Sequence, residues 1–249
     1  LERKDRLSLD SGAISLSADE NMNEIKSVFK ERTMRVDASG RRLLILVGSP
    51  RRNGNSAVLG EAVQRGAEAA GTHASLRFVD DFIGYFLRDC RQCRRQDGRC
   101  GIDDGFAALF LEEFLPADAV VFCSPIYWYG LSAQTKAFFD RSFCHYAASN
   151  PGSAQVLARM GGKRLALVLS SEESYPGAEL GPVHQLQEYA RYTRSAFVAV
   201  VRRTPNRRGE VARDPTQPLQ AAEALGRELF TRPYTDYRLD TSRSTQVWG

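Results

Sequence analysis

Two short stretches of this 249-residue chain combine residue types that can grip a ligand. The first is Gly48-Ser49-Pro50-Arg51-Arg52-Asn53-Gly54-Asn55-Ser56. Ser49, Asn53, Asn55 and Ser56 bring short hydrogen-bonding side chains, and Arg51 brings a fixed positive charge. If a helix starts here, its first amides and the positive end of its dipole converge on an anion. The stretch is not a nucleotide-hydrolase P-loop, because no Gly-Lys-Ser/Thr follows, and it is not G-x-G-x-x-G either. Hydroxyls and amides without a lysine suit a terminal monophosphate better than a metal-bound triphosphate. The alternative is a plain Gly/Asn turn between strand and helix. The second stretch is Ser124-Pro125-Ile126-Tyr127-Trp128-Tyr129-Gly130. Three consecutive aromatics are suited to stacking against a flat heterocycle. They are equally suited to packing at a subunit boundary.

Both stretches need strands to carry them. Leu43-Leu44-Ile45-Leu46-Val47 precedes the first, and Asp118-Ala119-Val120-Val121-Phe122-Cys123 precedes the second. The pattern predicts strands at 43–48, 75–80, 118–123, 164–170 and 195–201. Helices are expected at 57–70, 104–114, 131–143, 180–192 and 216–230. Strands alternating with helices imply an α/β fold with a parallel sheet covered on both faces. A ligand site at the first and third strands points to a three-layer, flavodoxin-like sandwich of five strands in the order 2-1-3-4-5. A third loop, Ser170-Ser171-Glu172-Glu173-Ser174-Tyr175-Pro176-Gly177, would then reach the same sheet edge, with Ser170, Ser171, Glu172 and Tyr175 as candidate ligand contacts.

These paired loops, in this order, resemble the two FMN loops of the NAD(P)H-dependent FMN reductase and iron-sulfur flavoprotein group of the flavodoxin-like superfamily. The residues after the second loop, Ala133-Gln134-x-Lys136-Ala137-Phe138-Phe139-Asp140-Arg141, resemble that group too, as does Cys90-x-x-Cys93 … Cys100-x-x-Asp103-Asp104. The resemblance covers roughly residues 41–200. It implies non-covalent FMN and hydride transfer from NAD(P)H through the flavin to a small acceptor such as a quinone, flavin, azo or nitro compound, or pathway intermediate. On that reading Ser49, Arg51, Asn53, Asn55 and Ser56 hold the phosphate. Ser124, Pro125, Ile126, Tyr127, Trp128 and Tyr129 line the flavin ring, with Trp128 or Tyr129 stacked on it. The flavin carries the redox chemistry, so no protein acid–base pair is assigned as catalytic.

The iron-sulfur members carry four compact cysteines, whereas this chain offers Cys90, Cys93 and Cys100, with Gln96 three residues after Cys93. A cubane or a zinc site wants a fourth ligand, which Cys144 or His145 could supply. The preferred reading is no metal: a cap loop of thiols among Arg91, Arg94, Arg95 and Arg99. Cys123 reads as a buried strand residue, and His73, His145 and His184 as surface or structural histidines. Lys136, Asp140 and Arg141 read as a helix-surface ion-pair group. The run Arg202-Arg203-x-Pro205-Asn206-Arg207-Arg208 reads as a solvated loop, or as a seat for the extra phosphate of NADPH.

Hydrophobic residues make up 43% of the chain, enough for a core, and the net charge of +4 does not argue for nucleic acid. No apolar run approaches the length of a membrane span. Leu1-Glu2-Arg3-Lys4 opens no signal peptide, and five unevenly spaced cysteines fit a reducing compartment, so a cytoplasmic protein is expected. Residues 1–40 are expected to form an arm with an amphipathic helix from Asp19 to Arg32, bearing Met22, Ile25, Val28 and Phe29 on one side. Residues 41–231 form the FMN-binding domain and 232–249 a tail. The arm and the aromatic loop predict a homodimer or homotetramer. Two rival functions stand beside the enzyme: an iron-sulfur electron carrier, and a flavodoxin-like binding module without turnover.

Overall fold

The computed structural model describes residues 40–88, 94–203 and 210–232. The expected N-terminal arm with its helix, the C-terminal tail beyond Arg232, and Cys90 and Cys93 lie outside the described residues. The described strands are β1 (Arg42–Val47), β2 (His73–Phe78), β3 (Ala119–Tyr127), β4 (Gly130–Leu131), β5 (Arg164–Ser170) and β6 (Ala196–Arg203). The helices are α1 (Asn55–Ala69), α2 (Phe106–Ala108), α3 (Ala133–Tyr146), α4 (Ser153–Met160), α5 (Leu180–Thr193) and α6 (Pro218–Glu228). α2 runs on as a π-helix over Leu109–Phe114.

The five long strands are parallel in the order β2-β1-β3-β5-β6, and the two-residue β4 pairs antiparallel with the end of β3. This is the expected 2-1-3-4-5 arrangement of long strands. The core strands β1, β3 and β5 are buried on both faces, which is why they read as unbroken apolar runs. One face packs Phe106, Phe110, Phe114, Phe122 and Phe138 under α3 and the α2 region. The other packs Leu43, Ile45 and Val47 against α1 and α6. Strand order reverses between β1 and β3, so their carboxyl ends diverge and leave a crevice at the sheet edge.

Two departures from the expected boundaries have identifiable reasons. β3 runs on to Tyr127 because Ile126 and Tyr127 pair with Leu131 and Gly130, which delays α3 to Ala133. α2 begins at Phe106, since Asp104 spends its carboxylate on the amides of Phe106 and Gly84, at 3.1 and 3.0 Å. α4 was not expected at all; it buries only Val156 and Met160, one turn apart. Among the described residues no helix is long and apolar enough to cross a membrane.

Candidate functional site

The three loops at the carboxyl edge meet around a cleft of about 570 Å³. The loop after β1 contributes Ser49, Arg51, Gly54, Asn55 and Ser56. Gly54 caps α1 with no side-chain hydrogen bond, and no acidic residue stands in the first turn. An α-helix leaves its first amides without intrahelical acceptors, so this end is electropositive and uncontested by carboxylates. Ser49 Oγ accepts the Arg51 amide at 3.3 Å, and Gly54 N donates to Arg51 O at 3.0 Å, folding the loop back on itself. The two loop arginines have separate duties. Arg52 pairs with Asp81 and lies 4.1 Å over the Phe78 ring, while Arg51 makes no ion pair with a described residue.

The second wall is a hairpin. Tyr127 and Gly130 pair across a two-residue turn whose central residues, Trp128 and Tyr129, have φ of 49° and 58°. Positive φ at both positions marks a type I′ turn, which favours Asn-Gly rather than large aromatics. Left-handed backbone costs such residues roughly 1–2 kcal/mol each. The turn presents its rings outward: Trp128 is 97% exposed and Tyr129 54%. Strain held where a ligand would bind, with no burial in return at Trp128, is the pattern of a functional wall. α5 supports the turn from beneath, and Gly181 is needed there, because a Cβ on it would stand 2.6 Å from the Tyr129 carbonyl.

Buried hydroxyls fasten the loops together. Ser132 caps α3, accepting the Thr135 amide at 3.3 Å and donating to the Gly48 carbonyl at 2.6 Å. Ser124 Oγ donates to Pro125 O at 2.8 Å and accepts the Ser132 amide at 3.1 Å. A Cβ on Gly48 would overlap Thr135 Oγ1, so only glycine lets the β1 loop approach α3 this closely. On the other side Ser56 Oγ meets Ser170 Oγ at 3.1 Å, tying α1 to β5.

Of the residues expected in the site, Ser49, Arg51, Asn55, Ser56, Pro125, Ile126, Tyr127, Trp128, Tyr129, Ser170, Ser171 and Glu172 line one cleft. Three do not. Ser124 is fully buried, with its hydroxyl turned to Ser132. Asn53 is exposed at the loop tip. The Tyr175 ring is exposed and lies against Gly177, while its amide donates to the Glu173 carboxylate at 3.0 Å. The sequence pattern passed over Gly54, Glu173 and Ala178, which also line the cleft. It also passed over Ser132, although a serine ahead of an apolar helix is a cap signal.

The cysteine region presents one described cluster. Arg141, expected on the helix surface, is instead 1% exposed. It pairs with Asp104, lies 4.5 Å over the Phe106 ring and directs Nη2 at Cys100 Sγ, 3.7 Å away. Lys136 and Asp140 do form the expected i, i+4 pair. Burial tends to raise the Asp104 carboxyl, but the Arg141 hydrogen bond and two backbone amides outweigh it and hold the group below its ordinary value. His145 stacks on Phe110 at 4.3 Å, and burial together with nearby Arg141 lowers it to about 4, so it is neutral. Cys144 Sγ is turned to the Gly98 carbonyl at 3.9 Å, and burial pushes the Cys123 thiol up.

A family model described as a flavodoxin-like fold matches residues 41–204. A Bacillus subtilis protein named as an NAD(P)H-dependent FMN-containing oxidoreductase is 24% identical over 184 residues, 74% of this chain and 96% of its own length. An FMN-dependent NADH:quinone oxidoreductase of Methylorubrum extorquens is 36% identical over 91 residues, 36% of this chain and 44% of its own length. The chain therefore spans less than half of that relative. Among solved structures, the Trp repressor binding protein of Bacillus subtilis superposes with a TM-score of 0.56 at 21% identity, covering 76% of this chain and 99% of its own.

Proposed function

The chain belongs to the flavodoxin-like family, and from that premise we propose that it is an FMN-dependent NAD(P)H oxidoreductase acting on a small acceptor. FMN, when bound, takes hydride from a reduced nicotinamide and passes it on to a quinone, flavin, azo or nitro compound, or pathway intermediate. The observation that carries this reading is one cleft that joins an uncontested helix N-terminus, beside Arg51, to an outward-facing aromatic turn. The residues fit the cofactor at both ends. Arg51, Ser49 and Ser56 with the first turn of α1 would hold a phosphate dianion. Trp128 or Tyr129 would offer a ring face to the flavin and shield it from water on that side. The names of the relatives from Bacillus subtilis and Methylorubrum extorquens support the same assignment.

The proposal extends to a cytoplasmic homodimer or homotetramer, built on the domain over residues 41–231. Its support is the exposure of Trp128, Tyr127, Tyr129 and Leu180 about one edge, more apolar area than a lone chain usually presents. Sedimentation at micromolar concentration tests it, and a monomer refutes it.

The test of function is reconstitution with FMN, followed by anaerobic titration with NADH and NADPH. Retained flavin absorption that bleaches with a nicotinamide is expected. In the double variant Arg51→Ala/Ser56→Ala retention should drop, since hydrogen bonds to a charged group contribute about 1.5–3 kcal/mol. Folded wild-type protein that retains no flavin defeats the proposal.

A further inference from the structure

Arg51 lines the cleft, and its neighbour Arg52 does not. Arg52 reaches the other way. Its Nη1 donates to Asp81 Oδ2 at 2.8 Å and its Nη2 to Asp81 Oδ1, so the grip on the carboxylate is bidentate. The same guanidinium lies over the Phe78 ring, a second attraction of modest strength. Both partners belong to the neighbouring strand. β2 flanks β1 on the side opposite β3, which carries the aromatic turn. Phe78 ends β2 and is the register partner of Val47, the last residue of β1. Asp81 closes the 3₁₀ turn Val79–Asp81, whose Val79 is fully buried.

Arg52 also stands inside the turn that leads to α1. The Arg51 amide donates to Ser49 Oγ at 3.3 Å, and the Arg51 carbonyl accepts the Gly54 amide at 3.0 Å. The Gly54 carbonyl in turn accepts the amides of Ala57 and Val58, both at 3.0 Å, where α1 opens. A tether on Arg52 therefore restrains Arg51 on one side and the first turn of α1 on the other. The two tethered side chains are 53% and 48% exposed, and an ion pair so exposed adds little to global stability. Its effect is local. A loop already held in its binding shape loses less conformational freedom when a ligand arrives.

We infer that the Arg52–Asp81 pair is a clamp for the phosphate loop, and that Arg52 and Asp81 are positioning residues that hold Arg51 and the first amides of α1 ready for the monophosphate of the flavin. The inference rests on the FMN reading above. It assigns Arg52 no contact with the ligand; the residue acts through Arg51 and Gly54.

The test uses the sign of the Asp81 effect. If Arg52 acted by its charge, either through space or by swinging onto the phosphate, Asp81→Asn would release that charge and tighten FMN. A clamp predicts the reverse, because Asp81→Asn breaks it as surely as Arg52→Gln does. FMN and riboflavin, which lacks the phosphate, are titrated by flavin fluorescence against wild type, Arg52→Gln, Asp81→Asn and the double variant. Each single variant should weaken FMN by about two- to fivefold, the range for an exposed ion pair, and leave riboflavin unchanged. The double variant should be no weaker than the single ones, since the clamp can be lost only once. Tighter FMN in Asp81→Asn overturns the inference. So do unchanged FMN affinity in both single variants, losses that multiply in the double variant, or equal losses of FMN and riboflavin, which mark a general structural role. Wild-type protein that binds neither flavin overturns the functional reading itself, whereas wild-type FMN binding with any of the other refuting outcomes overturns only the clamp.

Discussion

Replacing Trp128 should make the free protein more stable and the flavin complex weaker. Trp128 and Tyr129 both hold left-handed backbone, at φ of 49° and 58°. The strain is roughly 1–2 kcal/mol for each. Burial decides which substitution releases it cleanly. Tyr129 is 54% exposed, so about 100 Å² of its ring is covered, and its removal would lose roughly 2 kcal/mol of apolar burial. That loss cancels the relief. Trp128, at 97% exposure, has almost no burial to lose. Asparagine is the L-residue that best tolerates this conformation and the preferred first residue of a type I′ turn. Trp128→Asn should therefore stabilise the free protein by about 0.5–1 kcal/mol, a rise in Tm of about 1–4 °C for a domain of this size. Calorimetry of flavin-free protein at low concentration measures it. Loss of one aromatic face, at about 0.5–1.5 kcal/mol, should weaken FMN two- to tenfold or so in a fluorescence titration. A flavin-free variant no more stable than wild type refutes the strain argument. Unchanged FMN affinity refutes the assignment of Trp128 to the ring face.

Three further outcomes are expected. Ser132→Ala should cost about 2–3 kcal/mol in urea unfolding, since it removes the α3 cap and leaves the buried Gly48 carbonyl short of a donor. Lys163→Met should cost roughly 3 kcal/mol by the same measurement, because the buried ammonium serves the carbonyls of Phe114, Leu115 and Ala117 where the π-helix ends. His145→Phe should flatten the acid limb of stability. The histidine titrates near 4 when folded and near 6.5 otherwise, so its contribution is whole above pH 6.5 and falls by up to roughly 3 kcal/mol as the pH drops toward 4. A phenylalanine there keeps the stack on Phe110 and binds no proton, so an unchanged pH profile would show that another group drives the acid limb.

The parts of this protein that were legible in the sequence are those where one physical demand dominates a continuous segment. β1, β3 and β5 are sheathed on both faces, so every position must be apolar, and the runs Leu43–Val47 and Ala119–Cys123 stand out. The small-residue loop ahead of α1 is similarly local, since its amides, hydroxyls and charge are neighbours in the chain. Arg141 was illegible because an arginine among polar helix residues reads as surface, and its partners Asp104 and Cys100 lie 37 and 41 positions away. The hairpin was hidden for the opposite reason: Trp-Tyr violates the turn preference that would have announced it. The π-segment was invisible because Phe106, Phe110 and Phe114 recur every four residues, a spacing that an α-helix satisfies as well.

What escaped the sequence is also what makes the cleft rigid on one side and strained on the other. The hydroxyls of Ser124, Ser132 and Thr135 are all buried and mutually bonded, locking the β1 and β3 loops at one spacing. A helix N-terminus binds an anion well only when its amides do not have to move to meet it, which is what this lock provides. The aromatic turn, held by two backbone pairs and the close approach of Gly181, carries the strain instead. Binding that covered Trp128 would offset that strain by apolar burial, whereas the free protein bears it unrelieved. With the same backbone angles in both states the strain lowers the stability of the protein without changing its affinity, and the apolar burial of Trp128 in the complex is what offsets it.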